Sequence, residues 1–109
     1  MDRSTQIRAM ASEPRMRILQ LLAAPKKHFG QQWSADPAEF GVCMTLIAEA
    51  LSVSQPTVSR HLELLRQAGF ITVRKHAKWS YCKRDEAAIS GYLDWLNQEI
   101  SAEVASGQD

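Results

Sequence analysis

The segment SQPTVSRHLELLRQAGF, residues 54–70, decides how this sequence folds. Pro56 fits only the first turn of a helix, where its missing N–H is not needed, and Ser54 can accept hydrogen bonds from the unpaired amides there. Gly69 favours the end of the same helix. Apolar residues recur at intervals of four and three, the spacing of one helical face: Val58, Leu62 and Leu65. The segment therefore predicts a helix that begins near Gln55 and buries this face.

The opposite face of this helix is polar. A rotation of about 100° per residue turns Ser59 and Arg60 away from the apolar side, and Gln55 lies at the leading end. Glutamine can pair with adenine and arginine with guanine, each through two hydrogen bonds, while hydroxyls and terminal amides can hold phosphate. These residue types predict a helix that contacts base edges in DNA.

The flanking segments complete a recognisable pattern. Residues 43–51 have helical periodicity, and Ser52-Val53-Ser54 forms a short turn before the next helix. After Gly69 the pattern changes to two strands, residues 70–74 and 79–83, joined by the basic residues 75–78. We therefore predict a mainly α fold with a small β-hairpin and about five helices, a winged helix-turn-helix. The helix-turn-helix spans about 43–69 and the wing about 70–84.

The motif Ser54-Gln55-Pro56-Thr57-Val58-Ser59-Arg60-His61-Leu62, followed by Leu64-Leu65 and Ala68-Gly69-Phe70, resembles the ArsR family of bacterial repressors. The resemblance covers about residues 13–84. It implies a homodimer that binds an inverted-repeat operator in double-stranded DNA and leaves it when an inducer binds. It also implies that the first and last helices form the dimer. The inducer, a small molecule or a redox signal, stays unidentified.

The candidate DNA-binding residues lie on the second helix of the motif and on the wing. They are Ser54, Gln55, Pro56, Thr57, Ser59, Arg60, Arg74, Lys75, His76 and Lys78. On the last helix, from about Asp85, the spacing of Ile89, Leu93, Leu96 and Ile100 is typical of packing against a partner helix. The candidate dimer residues are Ile7, Met10, Ile89, Tyr92, Leu93, Leu96 and Ile100.

Charge and length support this interpretation. Residues 54–84 carry seven lysines and arginines against Glu63 alone, whereas the chain from Asp85 onward has six acidic residues and no lysine or arginine. A basic middle suits a protein that presents one face to phosphate. At 109 residues we expect a single domain, residues 1–109. No long apolar run occurs, so we expect a cytoplasmic protein without a membrane partner.

The sequence contains few of the residues that a metal site or an enzyme active site would need. Cys43 falls where arsenic-sensing members of the family have the first cysteine of a pair, but Thr45 occupies the second position. No histidine follows His76, although zinc-sensing members use histidine on the last helix. We therefore expect no metal site and no cofactor. The sequence also lacks a glycine-rich phosphate loop, paired carboxylates and a Cys/His arrangement with an orienting third group, so we expect no enzyme activity.

Two alternatives stay open for the function. A short strand before Cys43 could pair with the end of the second wing strand, where Cys82 lies. This pairing would bring the two sulfurs close, and the protein could then be a thiol-redox-responsive repressor. Two inert, partly buried cysteines are the simpler interpretation. The other alternative is a winged-helix module that binds proteins rather than DNA.

The segment from residue 26 to 41 has no clear periodicity and is predicted as a long loop. It contains three aromatic residues that could dock on the body of the protein: Phe29, Trp33 and Phe40. A structural flap or dimer contact, a lid over an effector pocket, and disorder are the three interpretations left open.

Overall fold

Five helices of at least eight residues and three short strands form most of the computed structural model, which describes residues 2–29 and 36–103. The elements are α1 (Arg3–Met10), α2 (Glu13–Ala23), α3 (Pro25–Phe29), α4 (Pro37–Phe40), β1 (Val42–Cys43), α5 (Met44–Leu51), α6 (Gln55–Gln67), β2 (Ile71–His76), β3 (Trp79–Arg84) and α7 (Glu86–Ile100). The order of α5, α6, β2 and β3 confirms the predicted winged helix-turn-helix.

Local signals place the ends of the helix-turn-helix where the sequence predicts them. Ser54 caps α6, and its hydroxyl oxygen accepts a hydrogen bond of 3.3 Å from the amide of Thr57. Ser52 adopts a left-handed conformation with φ of 57°, which ends α5 and turns the chain toward α6. Gly69, with φ of 82°, follows α6. Glycine tolerates this conformation without steric cost, so α6 ends where the sequence predicts.

The wing belongs to a three-stranded antiparallel sheet with the strand order β1-β3-β2. The predicted hairpin is therefore correct but incomplete, because β1 pairs with β3 through Val42 opposite Cys82 and Cys43 opposite Tyr81. Both wing strands also extend one or two residues beyond the predicted limits, leaving a two-residue turn at Ala77-Lys78. Ala77 has φ of 56°, as tight hairpin turns require.

The core lies between the helices and one face of the sheet. The predicted inner face of α6 is buried, with Val58, Leu62 and Leu65 at most 3% exposed. Buried residues from other elements pack with it: Ala9, Ile18, Leu19, Leu22, Val42, Ile47, Ala48, Ala68, Phe70, Ile71, Cys82, Ile89 and Tyr92. The core thus holds α6 against α2, α5 and the sheet and leaves its other face exposed.

The prediction of a continuous loop over residues 26–41 is wrong at both ends, because residues 25–29 and 37–40 are helical. Phe29 packs against the core, and Phe40 docks on the wing. The predicted role of Trp33 lies outside the described residues. Gly41, with φ of 99°, joins α4 to β1, and a side chain there would meet the carbonyl oxygen of Cys82 at 2.6 Å. Only glycine fits this junction.

Within residues 2–29 and 36–103, no helix combines the length and the apolar character needed to cross a membrane.

Candidate nucleic-acid interface

The outer face of α6 presents the polar side chains that the sequence predicts. Gln55, Ser59 and Arg60 are exposed. The side-chain amide nitrogen of Gln55 lies 3.5 Å from the hydroxyl of Thr45 on α5, which is the upper limit for a hydrogen bond. Arg60 forms no hydrogen bond or ion pair within the described parts of the chain. Its guanidinium is therefore available to a ligand.

The first turn of α6 is held by its own side chains. The hydroxyl of Ser54 accepts from the amide of Thr57 and lies 2.9 Å from the hydroxyl of Thr57. Pro56 is exposed beside them. Ser54 and Thr57 thus stabilise the end of the helix that would approach DNA, and the remaining hydrogen-bonding capacity of both hydroxyls faces solvent.

The second half of α6 is electrically neutral. Arg66 and Glu63 form an ion pair of 2.6 Å, and Gln67 donates a further hydrogen bond to the carboxylate. The hydrogen bond from Arg66, then that from Gln67, lowers the pKa of Glu63 to about 2. Arg66 therefore contributes little free positive charge, which the residue count of the sequence could not show. Arg60 is the cation of α6 that keeps its charge unpaired among the described residues.

His61 links α6 to α2. Its Nδ1 lies 3.1 Å from a guanidinium nitrogen of Arg15. Arginine can only donate, so Nδ1 is the acceptor and the ring proton sits on Nε2. Burial, followed by the charges of Arg15 and Arg60, lowers the pKa of His61, which keeps the ring neutral. Nothing local in the sequence marks Arg15 as the partner of His61.

Arg15 also ties α2 to α1. Its other guanidinium nitrogens donate to the carbonyl oxygens of Ala9 at 2.7 Å and Arg8 at 2.9 Å. One side chain therefore joins the end of α1, the start of α2 and the middle of α6. This arrangement fixes α6 against α1 and α2.

The four basic residues of the wing that are candidates for DNA binding lie on its two faces and at its tip. In the register of β2 and β3, Arg74 lies opposite Tyr81 and His76 opposite Trp79, on the face turned away from the core. Lys75 lies opposite Ser80 on the other face, and Lys78 occupies the turn. All four are exposed. Arg74 and His76 contact the ring of Phe40, whereas Lys78 lies 5.3 Å from the ring of Trp79 at the turn and Lys75 is on the other face.

The two thiols lie on neighbouring strands, as the short-strand hypothesis proposed, but on different faces of the sheet. Cys82 is opposite Val42, and Cys43 is opposite Tyr81. Directly opposite residues share a face and successive residues alternate, so the two cysteine side chains point to opposite sides. Both are buried, and no disulfide joins them.

The chemical environment of Cys82 also disfavours a thiol switch. Burial, with a smaller contribution from nearby Cys43, raises its pKa to about 12. Thiol reactions proceed through the thiolate. This side chain is therefore protonated at neutral pH and poorly reactive.

The candidate dimer residues fall into three groups. Ile89 and Tyr92 are 6% and 4% exposed and belong to the protomer core, so they have little surface left for a partner. Met10 and Leu96 are half-buried against that core. The side chains with free apolar surface are Ile7, Leu93 and Ile100, at 45%, 52% and 73% exposed. The predicted seam on α7 is thus divided between the core and the surface.

Metal ligands do not gather in the described part of the chain. No group of three or more His, Cys, Asp or Glu side chains there is placed to hold a metal ion. At the position of the cysteine pair, Thr45 lies on α5 near Gln55 and contributes a hydroxyl instead of a thiol.

Comparison with known proteins agrees with this geometry. The family model described as bacterial regulatory protein, arsR family, matches residues 43–73. The chain is 39% identical over 93 residues to the uncharacterized HTH-type transcriptional regulator YbzH of Bacillus subtilis (strain 168), spanning 85% of this chain and 93% of that protein. It is 47% identical over 38 residues to the arsenical resistance operon repressor of Escherichia coli (strain K12), spanning 35% of this chain and 32% of the repressor.

A solved structure shares the fold over nearly the whole chain. An ArsR family transcriptional regulator superposes with a TM-score of 0.67 at 16% identity, covering 88% of this chain and 84% of its own. The matched family and the Bacillus subtilis relative are both described as transcriptional regulators and not as enzymes, and the solved structure shows that the fold is shared. The chain therefore belongs to the ArsR family of bacterial transcriptional regulators.

Proposed function

We propose that this protein is a repressor that binds an operator in double-stranded DNA as a homodimer. The observation that carries the proposal is the exposed face of α6, where Gln55, Ser59 and the unpaired Arg60 stand clear of the core. In this proposal α6 enters the major groove, Arg60 and Gln55 contact base edges, and Ser54 and Thr57 hold phosphate at the helix start.

The wing supplies the sequence-independent part of binding. Lys75 and Lys78 are exposed at and beside the hairpin turn. Lysine at such a position contacts phosphate or the minor groove, where each contact releases counterions and makes the affinity depend on salt. A protein-interaction module built mainly on apolar contacts would not show this dependence.

The dimer determines the form of the operator. The apolar side chains left exposed on the terminal helices, Ile7, Leu93 and Ile100, are the proposed contact surface for the second copy. Two-fold symmetry presents α6 twice, so the operator is an imperfect inverted repeat with half-sites about one helical turn, or a multiple of it, apart.

The signal that releases the repressor is proposed to be a small molecule or redox change of unidentified chemistry. Direct bonding of Cys43 to Cys82 is not favoured, because the two side chains leave opposite faces of the sheet. High-affinity arsenite or zinc release is not expected either, since Thr45 replaces the second thiol and no histidine follows His76. Release of DNA by either ion at micromolar concentration, or loss of binding through a Cys43–Cys82 disulfide, would contradict these two statements.

Selection of binding sites from random duplex DNA tests the proposal. Wild type, Gln55→Ala and Arg60→Ala are each put through the selection, with Arg66→Ala as a matched control on the same helix. Each lost base contact should cost about 1 to 3 kcal/mol and relax the preference at particular base pairs. Arg66→Ala should keep the wild-type preferences, because Arg66 is already paired with Glu63.

Two results would overturn the proposal. If wild type enriches no sequence and binds duplex DNA without salt dependence, the protein is not a DNA-binding repressor. If both helix variants keep every wild-type base preference, α6 is not the element that recognises the sequence.

A further inference from the structure

The ring of Phe40 lies against three side chains of the wing. Its centroid is 4.4 Å from the guanidinium carbon of Arg74, 5.5 Å from the ring of His76 and 5.9 Å from the ring of Tyr81. These distances are within the range of cation–π and aromatic pairs. Phe40 therefore contacts both strands of the hairpin, β2 and β3, from one side.

This contact covers the outer face of the sheet. Cys82, Val42 and Ile71 occupy the inner face and belong to the core. Tyr81 lies on the outer face, yet its side chain is only 1% exposed. Phe40, which lies outside the helix-turn-helix and the hairpin, is one of the residues that cover the Tyr81 side chain. The wing is thus held between the core and the aromatic ring.

The backbone fixes the position of Phe40 on both sides. Before it, the carbonyl oxygen of Glu39 accepts a hydrogen bond of 3.3 Å from the Lys83 ammonium on β3. After it, Gly41 passes so close to the carbonyl oxygen of Cys82 that no side chain would fit. The main chain on both sides of Phe40 therefore lies against β3, and this places the ring beside the wing.

We infer that Phe40 is a positioning residue for DNA binding: it holds the hairpin at Arg74 and His76 so that Lys75 and Lys78 meet the DNA backbone. β1 pairs with β3 only at Tyr81 and Cys82, so nearer the turn the wing is a two-stranded hairpin. Two strands alone are marginally stable in water, and this part of the wing therefore needs support from outside the pair. Phe40 contacts His76, which adjoins the Ala77-Lys78 turn. The inference rests on the proposed function, because it assumes that the wing touches DNA.

A double-mutant cycle tests the inference. Wild type, Phe40→Leu, Lys78→Ala and the double variant are titrated with a random-sequence duplex over a range of salt concentrations. Leucine keeps apolar bulk at position 40 but removes the ring. The ammonium of Lys78 lies 5.3 Å from the ring of Trp79, and it forms no cation–π pair with Phe40. Coupling between the two in DNA affinity would therefore not come from such a pair, and Phe29→Leu distinguishes a change in wing position from general loosening.

In the wild-type background, Lys78→Ala should weaken binding and reduce the salt slope by about 1 per protomer. In the Phe40→Leu background the same change should have little further effect, less than about twofold, because the misplaced wing has already lost the contact. Phe40→Tyr keeps the ring and should behave like wild type. Phe29→Leu is the matched control, since Phe29 is a half-buried phenylalanine that packs against the core.

The outcomes separate the possible failures. If Lys78→Ala costs the same affinity factor with and without Phe40, the ring does not position the wing and the inference is overturned, while the proposed function stands. It is also overturned if Phe29→Leu suppresses the effect of Lys78→Ala as strongly as Phe40→Leu does, because general loosening then explains the result. Salt-independent binding by wild type would overturn the proposed function itself. Far-UV circular dichroism at the titration temperature identifies any variant that is not folded.

Discussion

The side-chain amide of Gln6, on α1, donates a hydrogen bond of 3.2 Å to the main-chain carbonyl of Ala68, which caps the C-terminal end of α6. Gln6 is 2% exposed, and its oxygen accepts a hydrogen bond of 2.8 Å from Arg3. The last carbonyls of a helix have no partner within it. A side chain of the proposed dimerisation helix thus supplies that partner and connects α1 directly to the proposed recognition helix.

Replacement of Gln6 by an apolar side chain of similar shape should destabilise the protein. Gln6→Met preserves the shape of the side chain but leaves the buried carbonyl of Ala68 without its donor, which should cost about 1 to 3 kcal/mol in the free energy of unfolding. Urea denaturation followed by circular dichroism measures this. Gln20→Met, at an exposed position of α2, is the control and should change the stability by less than about 0.5 kcal/mol. Equal effects from the two variants would show that the hydrogen bond is unimportant.

Charges placed on the exposed part of the terminal helices should separate the proposed dimer. Leu93→Asp and Ile100→Asp introduce carboxylates where apolar surface is free, so a double variant should sediment as a monomer and bind DNA more weakly. Its protomer should still fold, because neither residue belongs to the core. Met16→Asp, at a 47% exposed apolar residue of α2, should stay dimeric. A double variant that remains dimeric would place the interface elsewhere.

Acidification should weaken the fold through His61. Its pKa is lowered in the folded state by burial and by the charges of Arg15 and Arg60. Below the ordinary value of about 6.5 the unfolded chain takes up a proton that the folded chain resists, so the stability from this residue is lost as the pH falls. The free energy of unfolding should therefore drop between about pH 7.5 and pH 5.5. His61→Gln should show a smaller drop, whereas His28→Gln, at an exposed site on α3, should retain it.

Cys82 should resist modification in the folded protein and destabilise it in strong alkali. Burial raises its pKa to about 12, so iodoacetamide at neutral pH should label it only after denaturation. An unfolded cysteine ionises at about pH 8.5. The unfolded state therefore loses a proton that the folded state keeps, and stability falls as the pH rises toward 12. Cys82→Ala should lose this part of the pH dependence. Rapid labelling of the native protein would contradict the prediction.

Local chemistry determined the helix-turn-helix. Pro56 and Ser54 mark the start of α6 because a missing amide and a capping hydroxyl each act within one helical turn. The spacing of Val58, Leu62 and Leu65 decides which side of the helix leaves water, and Ser59 with Arg60 is thereby left outside. These predictions needed no knowledge of the rest of the fold, since each depends on neighbours a few residues away.

The spacing of apolar residues predicts less where either the core or a second copy of the protein could bury a helix face. The spacing of apolar residues on α7 shows that they avoid water but not whether the core or a second copy covers them. In the structure Ile89 and Tyr92 lie in the core, whereas Leu93 is exposed. The ring of Tyr92 packs edge-on to that of Phe70, with 5.3 Å between the ring centroids. The short helix of residues 37–40 escaped prediction because four residues are too few to show a period.

The contacts that join distant parts of the chain were decided by the tertiary structure alone. Gln6 meets Ala68 across 62 positions of sequence, and Arg15 meets His61 across 46. Phe40 was recognised from the sequence as an aromatic residue able to dock, but not as a contact of the wing. A sequence pattern records which side chains leave water or need a hydrogen bond. It does not record which partner the path of the chain brings to them, and that path determines how α6 and the wing are held.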